Sequence, residues 1–269
     1  MDKNQLSKKT VIITGGGGII GSEFSKKLAL LGANVIIVEK EISIASKILK
    51  KIIKLKPDAS VKALKCNLLS EIEIKDMIKK VLKFYGSIDA VVNNAATKTS
   101  NLKNFFKKFE DYKLSTWKEV MSVNIDSFFL VSKYAGQYMA KNKNGGSIIN
   151  ISSIYGIVAP DSKIYEGSKY NNMEINTPAV YSVSKAAVLG LTKYLAKYWG
   201  DKNIRVNSIS PGGVESGQNK VFVNKYSEKV PLGRMAKATD MSNALIFLIS
   251  DSSKYITGQN LVVDGGFTI

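Results

Sequence analysis

A chain of 269 residues with 45% hydrophobic side chains can bury one sizeable core, and α/β chains of this length commonly form one domain. Its single cysteine, Cys66, and its lack of histidine exclude an internal disulfide, the usual zinc ligand sets and any imidazole base, leaving Tyr, Lys, Asp and Glu for proton transfer. The formal charge of +17 raises the question of a nucleic-acid partner, yet only Arg205 and Arg234 among the 39 basic residues are arginine and the lysines are spread over five of the six predicted helices, so no such partner is expected.

The charge is read instead as compositional bias, or as a field that attracts anionic small molecules. The first apolar run, Val11-Ile12-Ile13, begins too early to leave room for a secretion signal. No apolar stretch approaches the roughly 20 residues needed to cross a bilayer. No membrane partner and no bound metal are expected, and a cytoplasmic location fits the unpaired cysteine.

Short β-branched runs alternate along the chain with longer stretches of helical period, the pattern of βαβ units and a parallel sheet covered on both faces. The spacing predicts strands over 10–14, 34–38, 61–65, 90–93, 147–151, 205–210 and 261–263. Helices are predicted over 22–31, 44–55, 71–84, 117–141, 182–199 and 240–249. Two stretches break the rhythm, 159–179, polar and rich in Asn and Tyr, and 215–234. Long irregular segments inside a compact domain are usually functional, so the first is read as an inserted substrate loop and the second as a substrate lid.

The first strand runs into Thr14-Gly15-Gly16-Gly17-Gly18-Ile19-Ile20-Gly21 and the chain then turns helical. A dinucleotide pyrophosphate needs this arrangement, because side chains would block its approach to the backbone and the free N–H groups at the helix start stabilise its charge. Gly16, Gly18 and Gly21 match G-x-G-x-x-G. The second strand ends at Glu39, close to the spacing at which a carboxylate accepts hydrogen bonds from the adenosine ribose. A carboxylate there repels a 2′-phosphate, which points to NAD. NADP stays open through the alternative that Glu39 is a solvated strand-end charge and Lys40 takes a phosphate.

Further on come Asn93-Asn94-Ala95-Ala96, Ser122-Val123-Asn124, Asn150-Ile151-Ser152-Ser153, Tyr181-Ser182-Val183-Ser184-Lys185, Ser210-Pro211-Gly212 and Val263-Asp264-Gly265-Gly266. Tyrosine has an ordinary pKa near 10 and needs a nearby cation to act as a base at neutral pH. A lysine four residues later on a helix lies on the same face. Tyr181 would then exchange the hydroxyl proton as hydride leaves or reaches carbon. Tyr165-Glu166-Gly167-Ser168-Lys169 is a second match to the same spacing, but Gly167, Asn171-Asn172 and Pro178 support only a short helix there.

Taken together, these motifs resemble the short-chain dehydrogenase/reductase family over nearly the whole chain. The resemblance implies a single-domain Rossmann fold over 1–269, with a doubly wound seven-stranded parallel sheet and helices on both faces. It implies catalytic roles for Asn124, Ser153, Tyr181 and Lys185, with Lys185 also holding the nicotinamide ribose. It places Gly15, Gly16, Gly17, Gly18, Ile20, Gly21, Glu39, Asn67, Leu68, Asn94, Ala95, Tyr181, Lys185, Pro211, Gly212, Val214 and Ser216 around the cofactor. Three departures stand out: Ile19 where short members carry glycine, Asn67 where aspartate is common, and Ser216 in place of threonine. The glycines at 15, 18 and 21 look like the spacing of the family's larger sugar-nucleotide-modifying branch.

The stretch from Ile154 through Gly167 is similar to members associated with surface-polysaccharide, flagellin-glycan and nonulosonic-acid synthesis. This implies a sugar, sugar phosphate or nucleotide sugar as substrate, held by Ser153, Tyr155, Tyr165 and Tyr181. A non-sugar alcohol or a 3-oxoacyl thioester is the enzymatic alternative, and a non-catalytic dinucleotide-binding regulator is the alternative of another class. Related members assemble as dimers or tetramers, so a homo-oligomer is expected, a homotetramer in the first instance.

Overall fold

The computed structural model describes residues 6–99, 101–170 and 172–269. Its first half alternates strand and helix: β1 (Thr10–Thr14), α1 (Ile19–Leu30), β2 (Asn34–Glu39), α2 (Ile42–Leu55), β3 (Val61–Lys65), α3 (Glu71–Tyr85) and β4 (Ala90–Asn93). The second half contains α4 (Leu102–Phe105), α5 (Leu114–Met121), α6 (Ser127–Met139), β5 (Gly146–Ile151), β6 (Lys169–Tyr170), β7 (Met173–Glu174), α7 (Ala179–Tyr198), β8 (Ile204–Pro211), α8 (Lys220–Glu228), α9 (Ala238–Ile249) and β9 (Asn260–Val263). Seven strands form one parallel sheet in the order β3-β2-β1-β4-β5-β8-β9. The order reverses at β1, and the crevice between β1 and β4 at the strands' carboxyl ends is where such sheets bind ligands.

Side-chain alternation along each buried strand feeds two cores. Val11 and Ile13 of β1 join Phe24 and Leu28 of α1 and Leu245 of α9 on one face. Ile12, between them, joins Ile74 and Val81 of α3, Val131 of α6 and Leu195 of α7 on the other. Across the sheet centre runs a buried polar chain. Asn93 Nδ2 donates to Asn150 Oδ1 at 2.8 Å and to Ser132 Oγ at 2.9 Å, and Asn150 Nδ2 donates to Thr192 Oγ1 at 2.9 Å. It ties β4, β5, α6 and α7 together at the depth from which the site residues emerge. Among the described residues no helix is long and apolar enough to cross a membrane.

The seven predicted strands are all present, several one residue longer than expected. The predicted helix over 117–141 is divided: a π-helical turn, Ser122–Asp126, separates α5 from α6. The two stretches read as irregular are corrected too. Residues 159–179 contain a 3-10 turn, Ser162–Tyr165, and the antiparallel hairpin β6–β7, with residue 171 outside the described residues. Residues 215–234 contain α8, which Asn219 opens by accepting from the Phe222 N–H at 2.9 Å.

Candidate active site

The chain leaves β1 through Gly15 at φ +61°, a conformation that disfavours any side chain. A Cβ on Gly21 would lie 2.1 Å from the Gly15 carbonyl oxygen, and one on Gly15 2.8 Å from Ala95 Cα. These two glycines let α1 press against the turn. Gly18 differs, since a Cβ there meets only the Gly15 oxygen at 3.3 Å; its bare face leaves room at the start of α1. That helix has no side-chain cap and no acidic residue in its first turn, so its leading amides suit a bound pyrophosphate. Ile19 stands beside them, 57% exposed.

Asn94 braces the loop from β4. Its Nδ2 donates to the carbonyls of Thr14 at 3.1 Å and Gly15 at 2.9 Å, while Thr14 Oγ1 accepts from the amides of Asn94 and Ala95. Glu39 closes the other side, accepting from the Gly17 N–H at 2.8 Å. Burial raises the Glu39 pKa and the Gly17 and Gly18 amides oppose that rise. The carboxylate therefore faces the glycine turn and is not a free strand-end charge, whereas Lys40 is exposed. Asn67 turns inward to its own loop, its Oδ1 accepting from the Leu69 N–H at 3.2 Å, and Leu68 packs on the second core.

The residues expected to transfer the proton converge from three elements. Tyr181 lies in the first turn of α7 and Lys185 one turn later, the Lys185 ammonium 5.8 Å from the centre of the Tyr181 ring. Ser153 follows β5 and is a side-chain hydrogen-bond partner of Tyr181. Asn124 sits in the π-helical turn, its Oδ1 accepting from the Thr97 N–H at 3.0 Å and its Nδ2 donating to Ser184 Oγ at 3.1 Å. It thus joins α5–α6, the loop after β4 and α7. Burial raises the Tyr181 pKa, with the Ser153 hydrogen bond pulling the other way. Burial also lowers the Lys185 pKa from 10.5 to about 8.

Tyr165 and Lys169 share no helix: Tyr165 ends a 3-10 turn and Lys169 lies in β6. The Tyr165 hydroxyl instead meets Tyr155 Oη at 3.2 Å and Thr177 Oγ1 at 2.5 Å. Its ring packs on Phe222 of α8 at 5.4 Å. Both segments read as substrate elements build one small lobe, with a core of Ile154, Ile164, Phe222, Tyr226, Val230 and Met235. Lys225 donates to the Glu166 carbonyl at 2.9 Å and Lys229 pairs with Asp161 at 2.5 Å, locking α8 to the inserted loop.

Under this lobe lies a cavity of about 400 Å³, lined by Ile20, Asn94, Ser153, Tyr155, Tyr165, Tyr181, Lys185, Pro211, Gly212, Val214 and Ser216 among others. Val214 is fixed by a bridge to Ala236 and by Gln218, whose Nε2 donates to its carbonyl at 3.0 Å. Sequence reasoning missed Thr177, Phe222, Gln218 and Lys98, all of which line the same space. Only the aromatic pair Phe222 and Tyr226, spaced four apart, offered a signal.

A doubly wound sheet with a glycine turn leading into α1, and with Ile19, Ile20, Tyr181 and Lys185 around one cavity, defines a nicotinamide-dependent oxidoreductase. The chain belongs to the short-chain dehydrogenase family, whose model, described as short chain dehydrogenase, matches residues 9–227. It is similar to a 3-oxoacyl-[acyl-carrier-protein] reductase of Thermotoga maritima, at 34% identity over 98% of this chain and 100% of that one. A 3alpha-hydroxysteroid dehydrogenase of Mediterraneibacter gnavus is 31% identical, with 97% of each chain covered. Among solved structures, a short chain dehydrogenase from Leptospira borgpetersenii with bound NAD+ is 33% identical, with a TM-score of 0.84 over 99% of this chain and 95% of that one. The protein is accordingly an NAD(P)-dependent oxidoreductase. None of these three relatives carries a sugar in its name.

Proposed function

We propose that this oxidoreductase uses NAD in preference to NADP and acts at a secondary alcohol or ketone of a polyhydroxylated, sugar-type substrate. The observation that carries the substrate class is the hydroxyl cluster of Tyr155, Tyr165 and Thr177 in the same cavity as Ser153 and Tyr181. Several hydroxyls at fixed positions suit a ligand that presents several of its own. The cofactor preference rests on Glu39 at the glycine turn.

A bound nicotinamide supplies the hydride acceptor or donor. In reduction, Tyr181 gives its phenolic proton to the carbonyl oxygen while Ser153 hydrogen-bonds that oxygen. In oxidation the phenolate must form, and the Lys185 ammonium together with an oxidised nicotinamide would favour it. Asn124 keeps α7 and the loop after β4 in register with this pair. A second reading, reduction of a 3-oxoacyl thioester, is favoured by the Thermotoga maritima relative.

Purified protein offered NAD+ with sugar phosphates and nucleotide sugars, against NADH and NADPH with acetoacetyl-coenzyme A, separates the two through the absorbance of the reduced cofactor. Turnover confined to the thioester would overturn the sugar reading. The protein is also proposed to be a homo-oligomer, with support from the exposed aromatic side chains Phe129 on α6 and Tyr194 and Tyr198 on α7. Light scattering of the purified chain tests this.

A further inference from the structure

The walls of the catalytic cavity are electrostatically one-sided. Among the described residues that line it are two lysines, Lys98 and Lys185, and neither an aspartate nor a glutamate. Lys185 is buried and donates to the Ile151 carbonyl at 2.9 Å. Lys98 is placed differently. It follows β4 by five residues, and its ammonium lies 5.9 Å from the centre of the Tyr170 ring on the β6–β7 hairpin. Among the described residues no carboxylate pairs with it. The residue is exposed overall, yet desolvation around its ammonium lowers its pKa.

A cation in a cavity wall without a counter-charge raises the local concentration of anions and gains from pairing with one. We propose that Lys98 is the binding residue for an anionic group, a phosphate in the first instance, carried by the substrate at the end remote from the reacting carbon. The proposal rests on the sugar-type reading for the kind of molecule that bears the phosphate; the anion site itself follows from the cavity wall. Tyr170 positions the Lys98 ammonium from the hairpin side and contributes no charge of its own. A phosphate seated there bridges the loop after β4 to the inserted lobe, while Ser153 and Tyr181 hold the reacting oxygen.

Calorimetric binding to the protein saturated with NAD+ tests this without requiring turnover. The probes are fructose 6-phosphate with fructose, and acetoacetyl-coenzyme A with the phosphate-free acetoacetyl-N-acetylcysteamine. The phosphorylated member of at least one pair should bind about tenfold or more tightly, as expected for a hydrogen bond to a charged group. Lys98→Met should erase that advantage and leave the neutral member's binding as it was, whereas Lys98→Arg should keep most of it. Tyr170→Leu should retain part of it, since the charge remains.

No advantage in either pair, an advantage that survives Lys98→Met, or a Tyr170→Leu effect equal to that of Lys98→Met would each overturn the proposal. An advantage confined to the thioester pair and lost in Lys98→Met would leave the anion site standing while removing the sugar-type reading. Binding that depends on Lys98 without turnover of any ligand would likewise sink the proposed reaction and keep the site.

Discussion

Lys185 donates from Nζ to the carbonyl oxygen of Ile151 at 2.9 Å, pinning the first turns of α7 to the end of β5. The same ammonium lies against the Tyr181 ring, so the tyrosine is held by a residue that is itself held by the sheet. Replacing Tyr181 by Phe removes only the hydroxyl. Turnover should fall by about 100-fold or more, the scale of a lost general acid/base, with the fold and NAD binding retained. Tyr165→Phe should leave kcat nearly intact and raise KM by about fivefold, through loss of its contacts with Tyr155 and Thr177. Steady-state kinetics on both variants checks the pair, and the reverse pattern would transfer catalysis to Tyr165.

Burial of Lys185 also links stability to pH. Its pKa is lowered from 10.5 to about 8, so between those values the folded chain binds fewer protons than the unfolded one. The contribution of this group to stability therefore rises with pH across that window, and below pH 8 the penalty for burying the charge is present in full. Urea unfolding of the wild type and of Lys185→Met at about pH 7 and about pH 10 should show the difference shifting toward the wild type at the higher pH, by on the order of 1 kcal/mol per unit. A pH-independent difference would contradict the assigned environment.

Glu39 accepts from the Gly17 N–H, so its removal changes both charge and the order of the glycine turn. Glu39→Gln keeps the acceptor and discards the charge. Its NADP-to-NAD ratio of kcat/KM should rise by about tenfold, as expected when repulsion of the 2′-phosphate is relieved. Measuring the ratio for both cofactors is sufficient, and an unchanged ratio would remove Glu39 from cofactor discrimination.

Gly21→Ala places a methyl group 2.1 Å from the Gly15 carbonyl oxygen and 2.8 Å from Asn94 Nδ2. The turn and α1 must separate. The expected cost is about 1–3 kcal/mol of stability, with a clear loss of NAD affinity by calorimetry. Gly18→Ala, whose added carbon meets one atom at 3.3 Å, should fold normally and lose affinity only. Equal stability losses in the two variants would mean that the glycines act alike.

Asn150→Ala leaves one Nδ2 hydrogen of Asn93 without its acceptor and Thr192 without its donor. Thermal unfolding should register a loss of about 1–3 kcal/mol, the range for stranding a buried polar group. Among the described residues Asn93 Oδ1 has no hydrogen-bond partner, which leaves this network little capacity to rearrange.

The sheet was legible in the sequence because strands buried on both faces are written as unbroken β-branched runs, as in Val35-Ile36-Ile37-Val38. The glycine turn and the Tyr181–Lys185 pair were legible because each motif is local in sequence, although Asn94 and Ser153, which they meet, are not. The π-helical turn at Asn124 was not, since one extra residue in a turn scarcely disturbs an apolar pattern that continues on both sides. Nor was α8, whose two buried residues, Phe222 and Tyr226, lie among Lys, Asn and Ser. The meeting of Tyr155, Tyr165 and Thr177, and the placing of Lys98 under Tyr170, depend on how the inserted loop folds back over the strand ends. No local spacing encodes that.

The lobe built from the inserted loop and α8 has its own small core, separate from the two that sandwich the sheet. A mutation in Phe222 or Ile164 therefore alters the roof of the cavity without loosening the floor on which Tyr181 and Lys185 stand. Such a division of labour separates admission from reaction. A change of roof can then alter which ligand the cavity admits while the floor keeps its geometry.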